Sequence, residues 1–270
     1  MRKNEYLKRI STGALAGLVV SLGVALTGCA PSAKQLKEAV EQDPSIVFVA
    51  IEKDPAKFIE VVNKAAQSAQ EKAQQQAMQD LEKQREEEFK NPLKPKIEDG
   101  RVIFGAKDAP ITIVEYSDFE CPYCGKGYAT VKQILKEYQG KVRLVFKHMP
   151  LDFHPMALPS AKYFEAIGKQ SPEKAEKFHD AIFENQGQLR NGKEEYLKSI
   201  AKKLGLDMKK LEKDLNDASI MERIQADTAE AQTMGFNGTP AFVVNGVSMR
   251  GAFPFNEFKA VIDRHLSEKK

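Results

Sequence analysis

Cysteine is nearly absent. The 270 residues contain three, Cys29, Cys121 and Cys124, together with four histidines. A disulfide framework draws on more cysteines spread over a small domain. A structural zinc site takes four ligands, and the chain has no second CxxC and no HxxxH, so no metal is expected. An excess of one charge is missing too. The formal surplus of +3 sits in residues 1–28, where Arg2, Lys3, Lys8 and Arg9 stand against Glu5, and the remainder is balanced. Nothing in that balance calls for nucleic acid or an acidic partner. The uncharged apolar run from Ile10 to Leu26 is short for a membrane-spanning helix of about 20 residues. At 42% hydrophobic and 29% charged residues, the chain has the composition of one that buries a core. Its length allows one large domain, or one ordinary domain with an appendage.

What is present at the N-terminus reads as an export signal. A basic stretch, MRKNEYLKR, leads into the apolar run and ends in Leu26-Thr27-Gly28-Cys29, which resembles the bacterial lipobox. The expectation is a lipoprotein signal peptide over residues 1–28, lipid on Cys29, and membrane anchorage outside the cytoplasm. An uncleaved anchor that happens to carry a cysteine is the alternative, and it leaves the same compartment. Ala30 does not read as an inner-membrane retention signal, so either membrane is open in a cell that has two. With Cys29 set aside, a single exported pair remains, and one CxxC points to redox chemistry.

Residues 29–90 read as a helical arm. Asp43-Pro44 and Asp54-Pro55 each look like an N-cap followed by proline at the first helical position. The first opens a short apolar helix through Ile46–Ile51. The second opens a long one in which Phe58, Val62, Ala66, Ala69, Ala73 and Ala77 recur every three or four residues. That seam suits close packing against a helix of a second copy, giving a homo-oligomer through residues 34–90; a solvated spacer is the alternative. Asn91-Pro92-Leu93-Lys94-Pro95-Lys96 breaks the helix and reads as a short stiff linker over residues 91–98.

From residue 99 to 270 the pattern is α/β. Strands are expected at Arg101–Phe104, Ile111–Ser117 and Val142–His148, with a helix from the CPYC motif to about Tyr138. A helical stretch fills about 155–235, broken near Gly168, Gly192 and Gly205. A hairpin turns at Asn245-Gly246 between Ala241–Val244 and Val247–Met249, and a helix over 255–268 closes the chain. This is one α/β domain with a helical insertion.

A cysteine between a strand and a helix meets the unpaired N–H groups and partial positive charge of the first turn, both of which favour thiolate. Cys121 occupies that position, with Pro122 suited to the first turn, and is the expected exposed nucleophile. Cys124, three residues on and on the same helical face, can resolve a mixed disulfide. Phe119 and Tyr123 offer an aromatic surround to limit water and touch an unfolded substrate.

The stretch IVEYSDFECPYCGKGY, the helical insertion and the distant GTPAFVVNG resemble DsbA-like members of the thioredoxin superfamily over about residues 99–270. The resemblance implies a thioredoxin fold, and a cis peptide bond before Pro240 that exposes the Thr239 backbone for strand-like pairing with a substrate. It further implies a partly buried acid at Glu115 that assists proton transfer to or from the second cysteine. Alternation alone suggests Lys147 as the partner of Glu115. DsbA itself carries a histidine between its cysteines, whereas Pro122-Tyr123 is the glutaredoxin pair. His148, His154 and His179 are expected to be packing or surface residues.

The leading reading is an extracytoplasmic thiol–disulfide oxidoreductase acting on cysteines of exported proteins and recycled by a membrane redox partner. It needs no cofactor beyond the Cys121–Cys124 disulfide. Oxidase, isomerase and reductase stay open, since the same atoms run in either direction. A lipid-anchored chaperone with a vestigial CPYC, or a carrier of a soft ion such as Cu(I), are the readings of other classes.

Overall fold

The computed structural model describes residues 31–268. The expectations for the signal peptide and for Cys29 fall outside those residues. The chain divides within a helix into two units, the first ending at Lys72 and the second running from Ala73.

In the first unit, α1 (Ala33–Gln42) starts from a reciprocal cap between Ser32 and Gln35. Next comes α2 (Ser45–Lys53), entered through Asp43, whose carboxylate accepts from the Ser45 amide at 3.0 Å and the Ser45 hydroxyl at 2.6 Å. Then α3 (Pro55–Lys90) begins on the Asp54 carboxylate, which accepts from the Lys57 amide. Asp54-Pro55 thus opens α3 as expected. At α2 the cap position falls instead to Pro44, the helix starts one residue later at Ser45, and Asp43 acts from just before the cap. α2 buries none of its side chains.

The second unit holds the end of α3 and a five-stranded sheet. Its strands are β1 (Ile103–Gly105), β2 (Ile111–Ser117), β3 (Val142–His148), β4 (Ala241–Val244) and β5 (Val247–Arg250), in spatial order β1-β3-β2-β4-β5. α4 (Pro122–Glu137) links β2 to β3, which are parallel, and every other pair is antiparallel. The insertion comprises α5 (Ala157–Gly168), α6 (Pro172–Glu184), α7 (Gln186–Lys203), α8 (Met208–Leu215) and α9 (Ala218–Thr233), and α10 (Phe255–Glu268) closes the unit. α7 kinks at Lys193, next to the break expected at Gly192. The hairpin turns on Asn245 and Gly246, both at positive φ, the conformation that favours Asn-Gly in a two-residue connection.

Both faces of the sheet are covered. Ile111, Ile113, Leu144, Phe146 and Phe242 join the larger core, with Val131 of α4, Phe258 of α10 and Phe164 and Phe178 of the insertion. Val114, Tyr116, Val145 and Val243 form a smaller core with Ala231 of α9 and Phe236. Alternation along β2 assigns its residues to the two cores.

Residues 91–98, expected as a short stiff linker ahead of the α/β domain, are bonded to that domain. The Leu93 amide donates to the Gly246 carbonyl at 2.9 Å, and the Lys96 amide to Glu230 at 2.7 Å. Upstream, the Glu88 carboxylate at the end of α3 accepts from the Ser248 amide at 2.6 Å and the Ser248 hydroxyl at 2.8 Å. β5 is an edge strand with ladder groups to satisfy, and the end of α3 satisfies one of them. Residues 73–98 thus belong with the α/β unit rather than ahead of it.

Candidate active site

The site forms where β2 ends. Tyr116 pairs with Ala241 across the antiparallel β2–β4 ladder. The chain leaving β2 toward Cys121 and the chain entering β4 from Thr239-Pro240 therefore meet. Cys121 is the N-cap of α4 and Pro122 its first residue, as the sequence led one to expect. The Thr239–Pro240 peptide bond is cis, and the Cys121 thiol donates to the Thr239 carbonyl at 3.6 Å. Gly127 of α4 allows the close approach: a Cβ there would lie 3.1 Å from the Phe242 ring and 3.2 Å from the Pro240 ring.

Both cysteines are free thiols, and their environments differ. Cys124 is fully buried, whereas Cys121 keeps 4% exposure. Cys121 is thus less open than the exposed nucleophile expected, because the Thr239 carbonyl lies over its sulfur. The Cys124 thiol beside it pulls Cys121 down to about 5, and the Cys124 and Tyr123 amides act in the same direction against the effect of burial. Burial drives Cys124 well above its ordinary value, and the neighbouring Cys121 adds to this. One sulfur is prepared to be a thiolate and the other to hold its proton.

Glu115 lies on central strand β2, fully buried, in register with Phe146 and Phe242. Burial pushes its carboxyl up to about 7, against a smaller pull from Ser117. One of its oxygens and the Ser117 hydroxyl have no hydrogen-bond partner. Ser117, two residues on along the same face, also lowers Cys124, so it is the polar neighbour common to the acid and the buried thiol. Lys147 is not the partner of Glu115. It pairs in register with Tyr116, which faces the smaller core. Its ammonium meets Glu230 at 2.5 Å and Asp227 at 3.5 Å. A shift of one residue along a strand changes the face, and this separates the two side chains.

Phe119 also departs from expectation. It is 1% exposed and packs against Phe146, Phe183 and Phe164, so it shapes the core instead of meeting substrate. Tyr123, at 59% exposure, and the exposed Pro122 remain at the surface beside Cys121.

Two residues that the motif reading passed over support the loop. Asp118 is buried, and its amide donates to the Cys124 sulfur at 3.4 Å. Its carboxylate accepts from the amides of Glu120 at 2.8 Å and Leu151 at 3.0 Å, and lies 2.7 Å from Nδ1 of His154. The turn-forming habit of Asp, bonding an amide two residues on, was the available signal. Gln186 donates to the carbonyls of Phe119 and Cys121 from the start of α7, and no local pattern marks it. Among the other histidines, His148 lies 3.0 Å from Glu165 and His179 is buried, its pKa lowered by that burial.

A thioredoxin family model matches residues 97–264. The chain is 36% identical over 161 residues to Na+/H+ antiporter NhaA 1 of Salinispora arenicola, covering 59% of this chain and 24% of that protein. It spans about a quarter of the length of the curated relatives it matches. Among solved structures, a thioredoxin-like oxidoreductase from Silicibacter pomeroyi is 29% identical, with 64% of this chain and 95% of that chain covered and a TM-score of 0.54. BdbD from Bacillus subtilis is 24% identical, covering 65% and 97%, with a TM-score of 0.56. The strand order, the helical insertion and the family match agree: the chain belongs to the thioredoxin family and has the DsbA-like fold.

Proposed function

We propose that the chain is a lipid-anchored, extracytoplasmic thiol–disulfide oxidoreductase that donates disulfides to exported proteins through Cys121 and Cys124. The asymmetry of the two cysteines carries the reading. A thiol held at about 5 stabilises the reduced pair as thiolate, which makes the disulfide the better oxidant.

In the oxidised protein a substrate thiolate attacks the Cys121 sulfur. The Cys121–Cys124 bond breaks, and its electron pair leaves on Cys124, which takes a proton from the Glu115 carboxyl. A second substrate thiolate attacks the substrate sulfur of the mixed disulfide, and Cys121 departs as thiolate. The substrate has lost two electrons, which a membrane redox partner removes when it regenerates the disulfide. Thr239 and Pro240 lie where a substrate backbone would pair with the loop, and Tyr123 and Pro122 offer it an apolar surface. The exposed Phe48, Val49, Ile59 and Val61 support self-association through residues 34–90. Lipid on Cys29 rests on the lipobox alone, and its test is release of a Cys29→Ser chain from the membrane fraction.

Equilibration with glutathione buffers tests the central claim. A potential near −120 to −180 mV, as in DsbA and protein disulfide isomerase, is expected. A value near the −270 mV of thioredoxin would reverse the direction and make the protein a reductase. Cys121→Ser should abolish exchange, and a variant that retained it would remove Cys121 from the mechanism.

A further inference from the structure

We propose that Gln186, in the helical insertion, is a positioning residue that holds the first turn of α4 in the geometry Cys121 needs. This rests on the reading of Cys121 as the sulfur that exchanges with substrate.

The Gln186 side-chain amide donates to the Phe119 carbonyl at 2.9 Å and to the Cys121 carbonyl at 2.8 Å. A carboxamide nitrogen has two hydrogens, and both are engaged. The Cys121 carbonyl also accepts the amides of Cys124 at 3.1 Å and Gly125 at 3.2 Å. Gln186 therefore pins the Cys121–Pro122 peptide plane and, two residues earlier, the Phe119–Glu120 plane. The Tyr123 and Cys124 amides act on the Cys121 sulfur from that same turn.

The clamp is itself held from both sides. Tyr128 of α4 donates to Glu184 at 3.1 Å and stacks on Phe183 at 5.4 Å, and Leu189 just beyond Gln186 is fully buried. Gly125 completes the fit, since a Cβ there would stand 2.5 Å from the Gln186 carbonyl oxygen. The insertion thus reaches the chemistry through one side chain. Glutamate could not replace it, because an acceptor would then face two carbonyl oxygens.

The test uses the full chain, unaltered and as Gln186→Leu, Gln186→Glu and Gly125→Ala. Cys121 ionisation is read from the pH dependence of its alkylation, located by mass spectrometry, and the reduction potential is measured alongside. Loss of the clamp should move the Cys121 midpoint up by about one unit, a tenfold loss of thiolate below it. The potential should fall by about 30 mV, the equivalent of that tenfold change. Gly125→Ala should act in the same direction by displacing the carboxamide, although alanine favours a helix. It serves if a Gln186 variant fails to fold. If the folded variants, Gly125→Ala included, titrate at the unaltered midpoint and keep its potential, Gln186 is only a tether between insertion and domain, and the proposal is overturned. If the unaltered chain shows neither a depressed midpoint nor exchange, the reading of Cys121 itself fails, which is a distinct result.

Discussion

Glu115 shows how one side chain can act against stability and for chemistry. Its carboxyl is raised from 4.5 to about 7 by burial. Below pH 4.5 both folded and unfolded chains hold the proton, and the group has no effect on stability. Between about pH 4.5 and 7 the unfolded chain ionises first, so stability falls as pH rises. The loss reaches about 3 kcal/mol above pH 7, at 1.36 kcal/mol per unit. Glu115→Gln removes that dependence. In denaturant titrations the variant should gain about 3 kcal/mol on the unaltered protein between pH 4 and pH 8. Its exchange rate should lose any inflection near pH 7. An unchanged stability difference across that window would mean that Glu115 ionises as freely in the fold as in water. The residue was visible in the sequence as a lone acid in an apolar strand. Its partner was misread, because Lys147 and Glu115 differ in facing, and register is a property of paired strands.

At the scale of elements, the segment before β1 is tied down by charge. Arg101 is buried and forks onto Asp227 of α9 at 2.7 and 2.5 Å, with Glu98 at 2.8 Å. Asp227 also accepts the His148 amide at the end of β3 at 3.1 Å. One carboxylate thereby joins the incoming chain, the sheet and the last helix of the insertion. Arg101→Met should cost about 3 kcal/mol, the lower end for a broken buried pair, because Lys147 stays within 3.5 Å of Asp227. Replacing Asp227 by Leu in that background should recover part of the loss, since a buried pair exchanged for apolar residues is often neutral. Equilibrium unfolding of the three variants as a cycle checks this. No recovery would mean that the acceptor for the His148 amide matters more than the pair.

For the whole molecule, the division inside α3 has a practical consequence. A chain beginning at Ala73 keeps the contacts of Glu88 with Ser248 and of Leu93 with Gly246, and should unfold at the temperature of the full α/β unit. A chain beginning at Asp99 loses them. At about 2 kcal/mol for hydrogen bonds to a charged group, its transition should drop by about 4–8 °C. Calorimetry of the two truncations decides whether the end of α3 belongs to the folded unit. Equal transitions would return the boundary to residue 99. Among the described residues of the first unit, large apolar side chains such as Phe48 and Val49 are more than 60% exposed. Removing residues 31–72 should therefore lower the molecular mass in solution from oligomer to monomer, as read by analytical ultracentrifugation.

The alternation of strands and helices, the cysteine at a helix start, the Asn-Gly turn and the Asp54-Pro55 helix entry were all legible in the chain. Each depends on backbone preference or hydrophobic period over a few neighbouring residues. The DsbA-like resemblance added the placement of Thr239-Pro240, which no local rule supplies. Other features required the folded chain. Cys121 is covered because a carbonyl 118 positions away comes to rest over it. Phe119 turns inward because β3 and the insertion bring Phe146, Phe164, Phe178 and Phe183 together on that side of the sheet. Residues 91–98 dock because the hairpin turn and α9 offer their amides the Gly246 carbonyl and the Glu230 carboxylate. Gln186 reaches the motif because the insertion packs back onto α4. Contacts between residues far apart in the chain are set by packing and register, which a periodic pattern does not encode.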